Sequence, residues 1–238
     1  MGRRAELFRL FRAEQHDPVP FYERLAADAV ATLPGRLAGA RVLDLGCGPG
    51  HYTRALRRAG AVVVPLDLDE AEFRAPGGPP GGEVVADARR LPVPDGCFDG
   101  VLCSNLLEHT PGANGVIDEM ERVLRPGGWG WLSWTNWYSP WGGHAITPFH
   151  YLGPRLGPAA YRRLRGEPGK NAPGRALFPV HIGATLRHVR LRPGLRLVAA
   201  VPRYYPSQRW ILQVPGLREV ATWNCLLILE RTGGRGRA

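Results

Sequence analysis

Short apolar runs alternate with amphipathic stretches along most of the chain, a pattern that indicates a sheet with helices packed on its faces. Five runs in the first part of the chain are predicted to be strands: Val42–Leu45, Ala61–Leu66, Glu83–Ala86, Gly100–Ser104 and Trp129–Trp134. Their apolar character is typical of parallel strands that are buried on both faces. Helices are predicted between them at Tyr52–Arg58 and Ala113–Leu124. The pattern therefore predicts an α/β fold with a doubly wound sheet.

Two later apolar runs, Leu195–Val201 and Trp223–Glu230, are predicted to be the sixth and seventh strands of the same sheet. Arg125–Gly128 reads R-P-G-G and is predicted to be a turn before the fifth strand. The stretch Ala75–Gly82 is dense in Pro and Gly and is predicted to be a loop. The helix after the second strand should therefore be short or missing.

The N-terminal part of the chain is predicted to form two helices, Arg3–Gln15 and Phe21–Thr32, separated by Pro18 and Pro20. The first helix carries four apolar residues on one face: Leu7, Phe8, Leu10 and Phe11. Such a helix could lie on a membrane surface. We favour the alternative that it packs over a ligand pocket of the protein.

The segment from Thr135 to Arg190 shows no clear periodicity. Its aromatic and histidine side chains stand among glycines and prolines: Trp137, Trp141, His144, Phe149, His150 and Tyr151. Long aromatic-rich segments of this kind within compact domains tend to be functional. We therefore expect it to cover or line a binding site.

The first strand leads into a glycine-rich turn, R-V-L-D-L-G-C-G-P-G, from Arg41 to Gly50. Glycines in a turn between strand and helix let the backbone approach a ligand closely. The spacing is not the G-x-G-x-x-G of dinucleotide sites, because His51 stands where the third glycine would be. Asp44 at the strand end would repel phosphate and attract a cation. The turn is thus predicted to hold a positively charged ligand.

This turn resembles motif I of the class I S-adenosylmethionine (SAM) dependent methyltransferases. Four further stretches extend the resemblance. V-V-A-D-A from Val84 is similar to the adenine-binding segment, and Ser104–His109 resembles the ubiquinone-biosynthesis type. Trp141–Gly153 and Pro215–Asn224 both resemble an actinobacterial group. The resemblance implies a Rossmann-like fold with seven strands, the last antiparallel. It also implies SAM as cofactor and S-adenosylhomocysteine as product.

The resemblance assigns roles to individual residues. Asp67 and Leu68, at the end of the second strand, would meet the ribose, and Asp87 and Ala88 would meet the adenine. Tyr22 would reach the cofactor from the N-terminal helices, although a role as a core aromatic is the alternative. The other implied cofactor contacts are Asp44, Gly46, Cys47, Gly48, Gly50, Ser104, Asn105 and His109.

One domain is predicted over residues 1–238, with four parts: a helical lid at 1–40, a SAM-binding core at 41–135, an acceptor-lid insertion at 136–194 and the final strands at 195–231. The length of 238 residues suits one such domain with an appendage.

The composition narrows the choice of partners. The net charge of +10 invites a nucleic-acid or membrane partner, but nearly all the basic residues are scattered arginines, with Lys170 the single lysine. The four cysteines, Cys47, Cys97, Cys103 and Cys225, have no metal-ligand spacing, so we expect reduced thiols, no metal site and a cytoplasmic location. No apolar run is long enough to cross a bilayer. A homo-oligomer is left open.

The expected activity is transfer of a methyl group from SAM to a small-molecule acceptor, at a hydroxyl, in secondary metabolism or in glycan or glycolipid modification. A hydroxyl acceptor needs a base with a pKa near the working pH, which indicates histidine. His144 is the first candidate, followed by His109, His150 and His181, with Glu108 weaker; each has a structural alternative. Two other functions stay open: methylation of RNA, and use of the SAM-binding fold without methyl transfer.

Overall fold

The computed structural model describes residues 3–14, 16–74, 81–169 and 172–233. The described residues form a seven-stranded sheet in the order β3-β2-β1-β4-β5-β7-β6. The strands are β1 Arg41–Leu45, β2 Val62–Asp67, β3 Val84–Val85, β4 Phe98–Ser104, β5 Leu124–Thr135, β6 Leu195–Pro202 and β7 Asn224–Arg231. β1 to β5 pair in parallel, and β7 is antiparallel to both of its neighbours. The predicted fold class, including the antiparallel last strand, is confirmed.

The strand order reverses beside β1, which has β2 on one side and β4 on the other. Chain connections leave β1 and β4 in opposite directions at this point, so a crevice opens at the carboxyl ends of the two strands. The glycine turn follows β1 directly. The topology therefore places this turn in the crevice where doubly wound folds bind ligands.

Helices cover both faces of the sheet. They are α1 Arg3–Ala13, α2 Val19–Val30, α3 His51–Arg58, α4 Glu70–Phe73, α5 Asn114–Val123, α6 Gly153–Arg165, α7 Ile182–Leu191 and α8 Leu217–Ala221. One apolar core includes residues of α5 and α7 against the sheet. The other includes residues of the two N-terminal helices and α3. None of the helices in the described ranges combines the length and apolar character needed to cross a membrane.

The region after β2 agrees with the prediction of a short helix, since α4 spans only Glu70–Phe73. Asp69 caps it, with its side chain accepting a hydrogen bond from the Ala71 N–H at 2.9 Å. Of the predicted loop Ala75–Gly82, residues 75–80 lie outside the described ranges, as does Gln15 at the predicted end of the first helix.

The predicted turn Arg125–Gly128 lies within the span of β5. The pairing of β5 with β4 jumps there from Leu124 opposite Phe98 to Trp129 opposite Gly100. Three extra residues on β5 therefore bulge out of the ladder, and Gly127 has a φ of +77°. The turn residues were recognised, but the strand continues on both sides of them.

Two helices were missed in the segment that showed no periodicity. α6 contains Pro154 and Pro158, which hide its helical character in the sequence. α7 contains Gly183 and Thr185, both weak helix formers, yet Ile182, Leu186 and Val189 are buried at helical spacing. Each of those side chains contributes about 1.5–3 kcal/mol by burial, which outweighs the poor local propensity. α7 is thus part of the sheet's core, and residues 136–181 before it are the insertion proper.

Candidate functional site

The glycine turn is held in a conformation that suits glycine. Gly46, Gly48 and Gly50 have φ angles of +74°, +49° and +75°. A Cβ added at Gly46 would lie 2.8 Å from Leu106 Cδ1, whereas one at Gly48 would approach only Glu72 Oε2, at 4.0 Å. The backbone is thus packed on one side at Gly46 and open at Gly48. An open glycine backbone at a strand end is a surface on which a ligand can lie closely.

Asp67 joins the end of β2 to this turn. Its Oδ2 accepts a hydrogen bond from the Gly48 N–H at 2.9 Å, and its Oδ1 accepts one from the Asp69 N–H at 3.2 Å. Leu68, the next residue, is exposed. The acid predicted to meet the ribose and the predicted glycine turn are therefore in direct contact.

Asp44 lies on β1 beneath the turn and is almost fully buried. Its Oδ2 accepts a hydrogen bond from the Thr53 hydroxyl at 2.6 Å. Burial raises the pKa of Asp44 to about 7, although the bond from Thr53 opposes the shift. A cation bound in the crevice would stabilise the ionised carboxylate. Cys47, also buried, has its N–H bonded to Leu66 O at 3.0 Å, so it fixes the turn on the neighbouring strand.

Asp87 follows β3, and the next residue, Ala88, is buried. Arg89 binds the Asp87 carboxylate with two nitrogens, the shortest contact being 2.6 Å between Nη2 and Oδ2. These hydrogen bonds from Arg89 hold the pKa of Asp87 below its usual range. The carboxylate is therefore ionised and orientated, as an acceptor for an exocyclic amine would have to be.

Tyr22, on α2, lies against the start of α3. Its ring stacks on the His51 ring with centroids 5.7 Å apart, and its hydroxyl donates to Glu14 Oε1 at 2.8 Å. Burial and the nearby Glu14 raise the pKa of Tyr22. Tyr22 of α2 thus lies against the residue that directly follows the glycine turn.

His109 and His144 come together beside the ends of β4 and β5. Their rings meet edge to face with centroids 5.4 Å apart. His109 Nδ1 lies 2.7 Å from Ala176 O, and His144 Nδ1 lies 3.3 Å from Gly142 O. A carbonyl oxygen only accepts, so each Nδ1 carries a proton. Burial lowers the pKa of His144, which keeps this imidazole neutral near pH 7.

Ser104 and Asn105, at the end of β4, connect this pair to a group that the sequence reasoning missed. The Arg203 side chain, directly after β6, donates to Ser104 Oγ at 3.1 Å and to Tyr52 Oη at 2.7 Å. Asn105 has a φ of +55° and accepts from Asn224 Nδ2 at 3.0 Å. The sequence held one signal that could have identified Arg203 as a site residue: it is a charged residue directly after an apolar strand.

The comparisons with known proteins agree with this geometry. Residues 43–132 match the family described as a methyltransferase domain. A protein of Mycobacterium ulcerans, described as an uncharacterized methyltransferase, is 40% identical over 97% of this chain and 94% of its own length. A crystal structure of an S-adenosylmethionine dependent methyltransferase from Mesorhizobium loti is 25% identical, with a TM-score of 0.60 over 88% of this chain and 98% of its own. The chain belongs to the SAM-dependent methyltransferase family.

A second relative, an uncharacterized methyltransferase of Mycobacteroides abscessus, is 38% identical over 97% of this chain and 94% of its own length. The crystal structure of the [4+2]-cyclase SpnF is similar with a TM-score of 0.57 and 17% identity, over 89% of this chain and 81% of that one. At that identity the likeness to SpnF shows the fold alone. The resemblance inferred from the sequence motifs is confirmed.

The other predicted bases of this methyltransferase lie elsewhere. His150 is fully buried, with Nε2 2.9 Å from Ser139 O. Its ring packs against Trp137 and Tyr151 inside the insertion, so this placement does not support a catalytic role for His150. His181 stacks on Tyr138 with centroids 5.4 Å apart. Both histidines shape the insertion.

Glu108 is buried between β5 and the insertion. Its Oε1 accepts from the Thr135 N–H at 2.9 Å, and its backbone oxygen accepts from the Phe178 N–H at 2.7 Å. Its Oε2 is buried without a hydrogen-bond partner among the described residues. Together with the bond from His109 to Ala176, these contacts dock the end of the insertion onto the site.

Of the aromatic residues that follow Arg203, one lies beside it. The Tyr204 ring lies 6.0 Å from the Arg203 guanidinium carbon. The Tyr205 hydroxyl instead accepts from the Trp223 N–H at 2.9 Å. Gln208 and Trp210 bond to each other on the surface, where Trp210 is half exposed. The chain therefore turns away from Arg203 after Tyr204.

An aromatic cluster ties three distant parts of the methyltransferase together. Phe11 of α1 lies 5.4 Å from Trp141 of the insertion and 6.5 Å from Trp223, measured between ring centroids. Trp141 stacks on Trp223 at 5.8 Å. The amphipathic first helix therefore packs on the insertion. Within the described ranges, no group of His, Cys, Asp and Glu side chains could hold a metal ion.

Proposed function

We propose that this methyltransferase binds SAM on the glycine turn and transfers its methyl group to a hydroxyl of a small molecule, in secondary metabolism or in glycan or glycolipid modification. SAM supplies a methyl group that is already activated by a positively charged sulfur. The chain has then to align the acceptor, exclude water and accept one proton.

The fit of the cofactor rests on the turn and the acids around it. The open backbone at Gly48 would lie against the ligand, with Asp67 binding the ribose hydroxyls and Asp87 and Ala88 meeting the adenine. The buried Asp44 would supply negative charge to the cationic end. This donor set suits a nucleoside that carries positive charge and no phosphate, because each side chain offered is a carboxylate.

The observation that carries hydroxyl methylation is the bond from His109 Nδ1 to Ala176 O at 2.7 Å. It fixes the neutral tautomer whose Nε2 can take a proton. His109 Nε2 accepts the hydroxyl proton as the acceptor oxygen gains the methyl group. His144 stands beside it, and its low pKa, caused by burial, keeps a second positive charge away from the imidazolium that forms.

The cofactor assignment is tested by calorimetry with S-adenosylhomocysteine. We expect Asp67→Ala to weaken binding by about 1–3 kcal/mol, since the hydrogen bonds to the ribose are lost. Asp69→Ala is the matched control, because that exposed carboxylate lies two residues away and caps α4. Equal affinity of S-adenosylhomocysteine for wild type and Asp67→Ala would show that Asp67 does not bind the ribose.

The activity is tested with trideuteromethyl SAM and a small-molecule extract of Mycobacterium marinum. This species has a relative that is 40% identical to this chain. Mass spectrometry should find a product that gains one trideuteromethyl group with wild type and not with Asp67→Ala. NMR of the product then identifies the methylated atom. A methyl group on nitrogen or carbon would contradict the proposed hydroxyl acceptor. RNA from the same cells is incubated in parallel, and labelled RNA with no labelled small molecule would contradict the acceptor class.

A further inference from the structure

Arg203 is a buried cation that the methyl-transfer proposal does not use. Its side chain is 6% exposed. The guanidinium donates to Tyr52 Oη at 2.7 Å, Ser104 Oγ at 3.1 Å and Ser133 Oγ at 3.2 Å. Weaker contacts of 3.5 Å reach Asn105 Oδ1 and Leu25 O. All of these acceptors are neutral.

Aromatic rings surround the same charge. The guanidinium carbon lies 4.7 Å from the Trp131 ring centroid, 5.8 Å from that of Tyr52 and 6.0 Å from that of Tyr204. Cation–π contacts of this kind contribute about 0.5–2 kcal/mol each. Burying a charge costs several kcal/mol even after relaxation, so the rings offset only part of the cost.

Among the described residues, no carboxylate forms an ion pair with Arg203. The acid whose charge reaches it is Asp28, and Asp28 is itself paired with Arg24 at 3.1 Å. Other arginines of the chain have close carboxylates, for example Arg192 with Glu121 and Arg122 with Glu119. A buried guanidinium without such a partner can pair with an anionic ligand, since charges are rarely buried unpaired.

The position of Arg203 indicates that it binds the acceptor and not the adenosine part of the cofactor. Its partners belong to β4, β5, α2 and α3, whereas the acids expected to hold ribose and adenine follow β2 and β3. Tyr204 lies beside Arg203 and His144 lies beside the proposed base His109, and the charges of Glu14 and Glu108 act on both Tyr204 and His144. A molecule whose hydroxyl meets His109 would therefore have another part near Arg203.

The charges near Arg203 limit the kind of anion that it can bind. Glu108 and Glu14 lie close enough to Tyr204, whose ring is 6.0 Å from the guanidinium carbon, to raise its pKa in addition to the larger effect of burial. One arginine near two acids suits a single negative charge better than a phosphate dianion. The planar guanidinium matches a carboxylate with two parallel N–H···O bonds. Because its two 3.5 Å contacts are weak, N–H groups can turn to a ligand while the bond to Tyr52 is kept.

We infer that Arg203 binds a carboxylate of the methyl acceptor, so that the substrates of this enzyme are hydroxy acids. This inference rests on the proposed function, because it assumes that the acceptor lies beside His109. The carboxylate is a binding group that takes no part in the transfer. Arg203 thus decides which hydroxyl compounds are accepted.

The test uses benzoate and its neutral isostere benzamide as probes, each titrated into the wild-type complex with S-adenosylhomocysteine at constant ionic strength. We expect saturable binding of benzoate at least tenfold tighter than of benzamide. Arg203→Gln should abolish the difference, and Arg203→Lys should retain part of it. Arg209→Gln is the matched control, since Arg209 is an exposed arginine six residues later. Equal binding of the two probes to wild type would overturn the inference, even if the variants failed to fold.

A second arm separates the acceptor from the cofactor, which also carries a carboxylate. Affinity for S-adenosylhomocysteine should be the same within threefold in wild type and Arg203→Gln. A loss of tenfold or more, with unchanged affinity for methylthioadenosine, which lacks the amino-acid part, would assign Arg203 to the cofactor and overturn the inference. If wild type fails to bind S-adenosylhomocysteine at all, the proposed function falls instead, and that result is independent of the comparison of benzoate with benzamide.

Discussion

The glycine-turn side and the histidine side of the site are assembled over different distances in sequence. On the turn side, Gly48 and Asp67 are 19 residues apart and meet through one hydrogen bond. On the histidine side, His109 and Ala176 are 67 residues apart, and Tyr52 and Arg203 are 151 apart. The first side is built by two adjacent parallel strands, while the second needs the insertion and the end of β6.

This difference has a consequence for how substitutions act. Changes on the turn side should alter cofactor affinity and leave the acceptor groups in place, because the turn is hydrogen-bonded to β2 whereas His109 is hydrogen-bonded to the insertion. Changes on the histidine side should alter turnover or acceptor binding with little effect on the cofactor. A family that keeps the first side and varies the second can accept many substrates.

The largest effect is expected for His109→Gln, which removes the proposed base. Methyl transfer should fall by about 10²–10⁴-fold, the usual contribution of a general base, while affinity for S-adenosylhomocysteine stays unchanged. Single-turnover transfer of labelled methyl to the acceptor found in the extract measures the rate of methyl transfer. Calorimetry measures the affinity for S-adenosylhomocysteine. His181→Gln is the control, because that ring stacks on Tyr138 in the insertion. Full activity of His109→Gln would place the base elsewhere.

A smaller effect, of about 1.5–3 kcal/mol on SAM affinity, is expected for Asp44→Asn on the turn side. Asp44→Asn should also change how protein stability and SAM affinity depend on pH. The folded pKa of about 7 lies above the ordinary carboxyl value of 3.8, so from about pH 4 to pH 7 the folded protein keeps a proton that the unfolded chain releases. The contribution of Asp44 to the free energy of unfolding is therefore largest below about pH 4 and decreases as the pH rises from about 4 to about 7.

Urea unfolding and SAM calorimetry at several pH values measure both consequences. In wild type, SAM affinity should rise through pH 7, because the cation favours the ionised carboxylate. In Asp44→Asn both pH dependences should be flatter and the ligand-free protein no less stable at pH 8. Asp69→Asn, which changes an exposed carboxylate, should behave as wild type. Identical slopes for wild type and Asp44→Asn would show that Asp44 does not titrate in this range.

The smallest effect is expected for Phe11→Ala, which removes one ring of the cluster with Trp141 and Trp223. Stability should fall by about 1–2 kcal/mol, since the ring is half buried. Hydrogen exchange in α1 should become faster, and acceptor binding weaker, with unchanged affinity for S-adenosylhomocysteine. Phe8→Ala changes the same residue type on the same helix, where the ring is 54% exposed, and should have no such effect. Equal exchange in the two variants would show that the cluster does not hold the helix.

The fold and the turn side were predictable because local patterns decide them. Apolar runs must be buried, and their order along the chain fixes most of the sheet. The glycines of the turn have positive φ angles, which other residues adopt at a cost, so the conformation is visible in the residue type. Asp67 was placed by its distance from the turn along the chain, because parallel neighbours end at the same edge of the sheet.

The histidine side was decided by tertiary contacts. Four histidines were candidates in the sequence, with His144 first, and packing alone separates the His109 and His144 pair from the buried His150. α7 was hidden because its burial, and not its propensity, stabilises it. Arg203 had no local signal beyond one charge after an apolar strand, since its partners come from α2, α3, β4 and β5. Local spacing determines the sheet and its glycine turn, and only long-range packing determines which charges and bases face each other across the crevice.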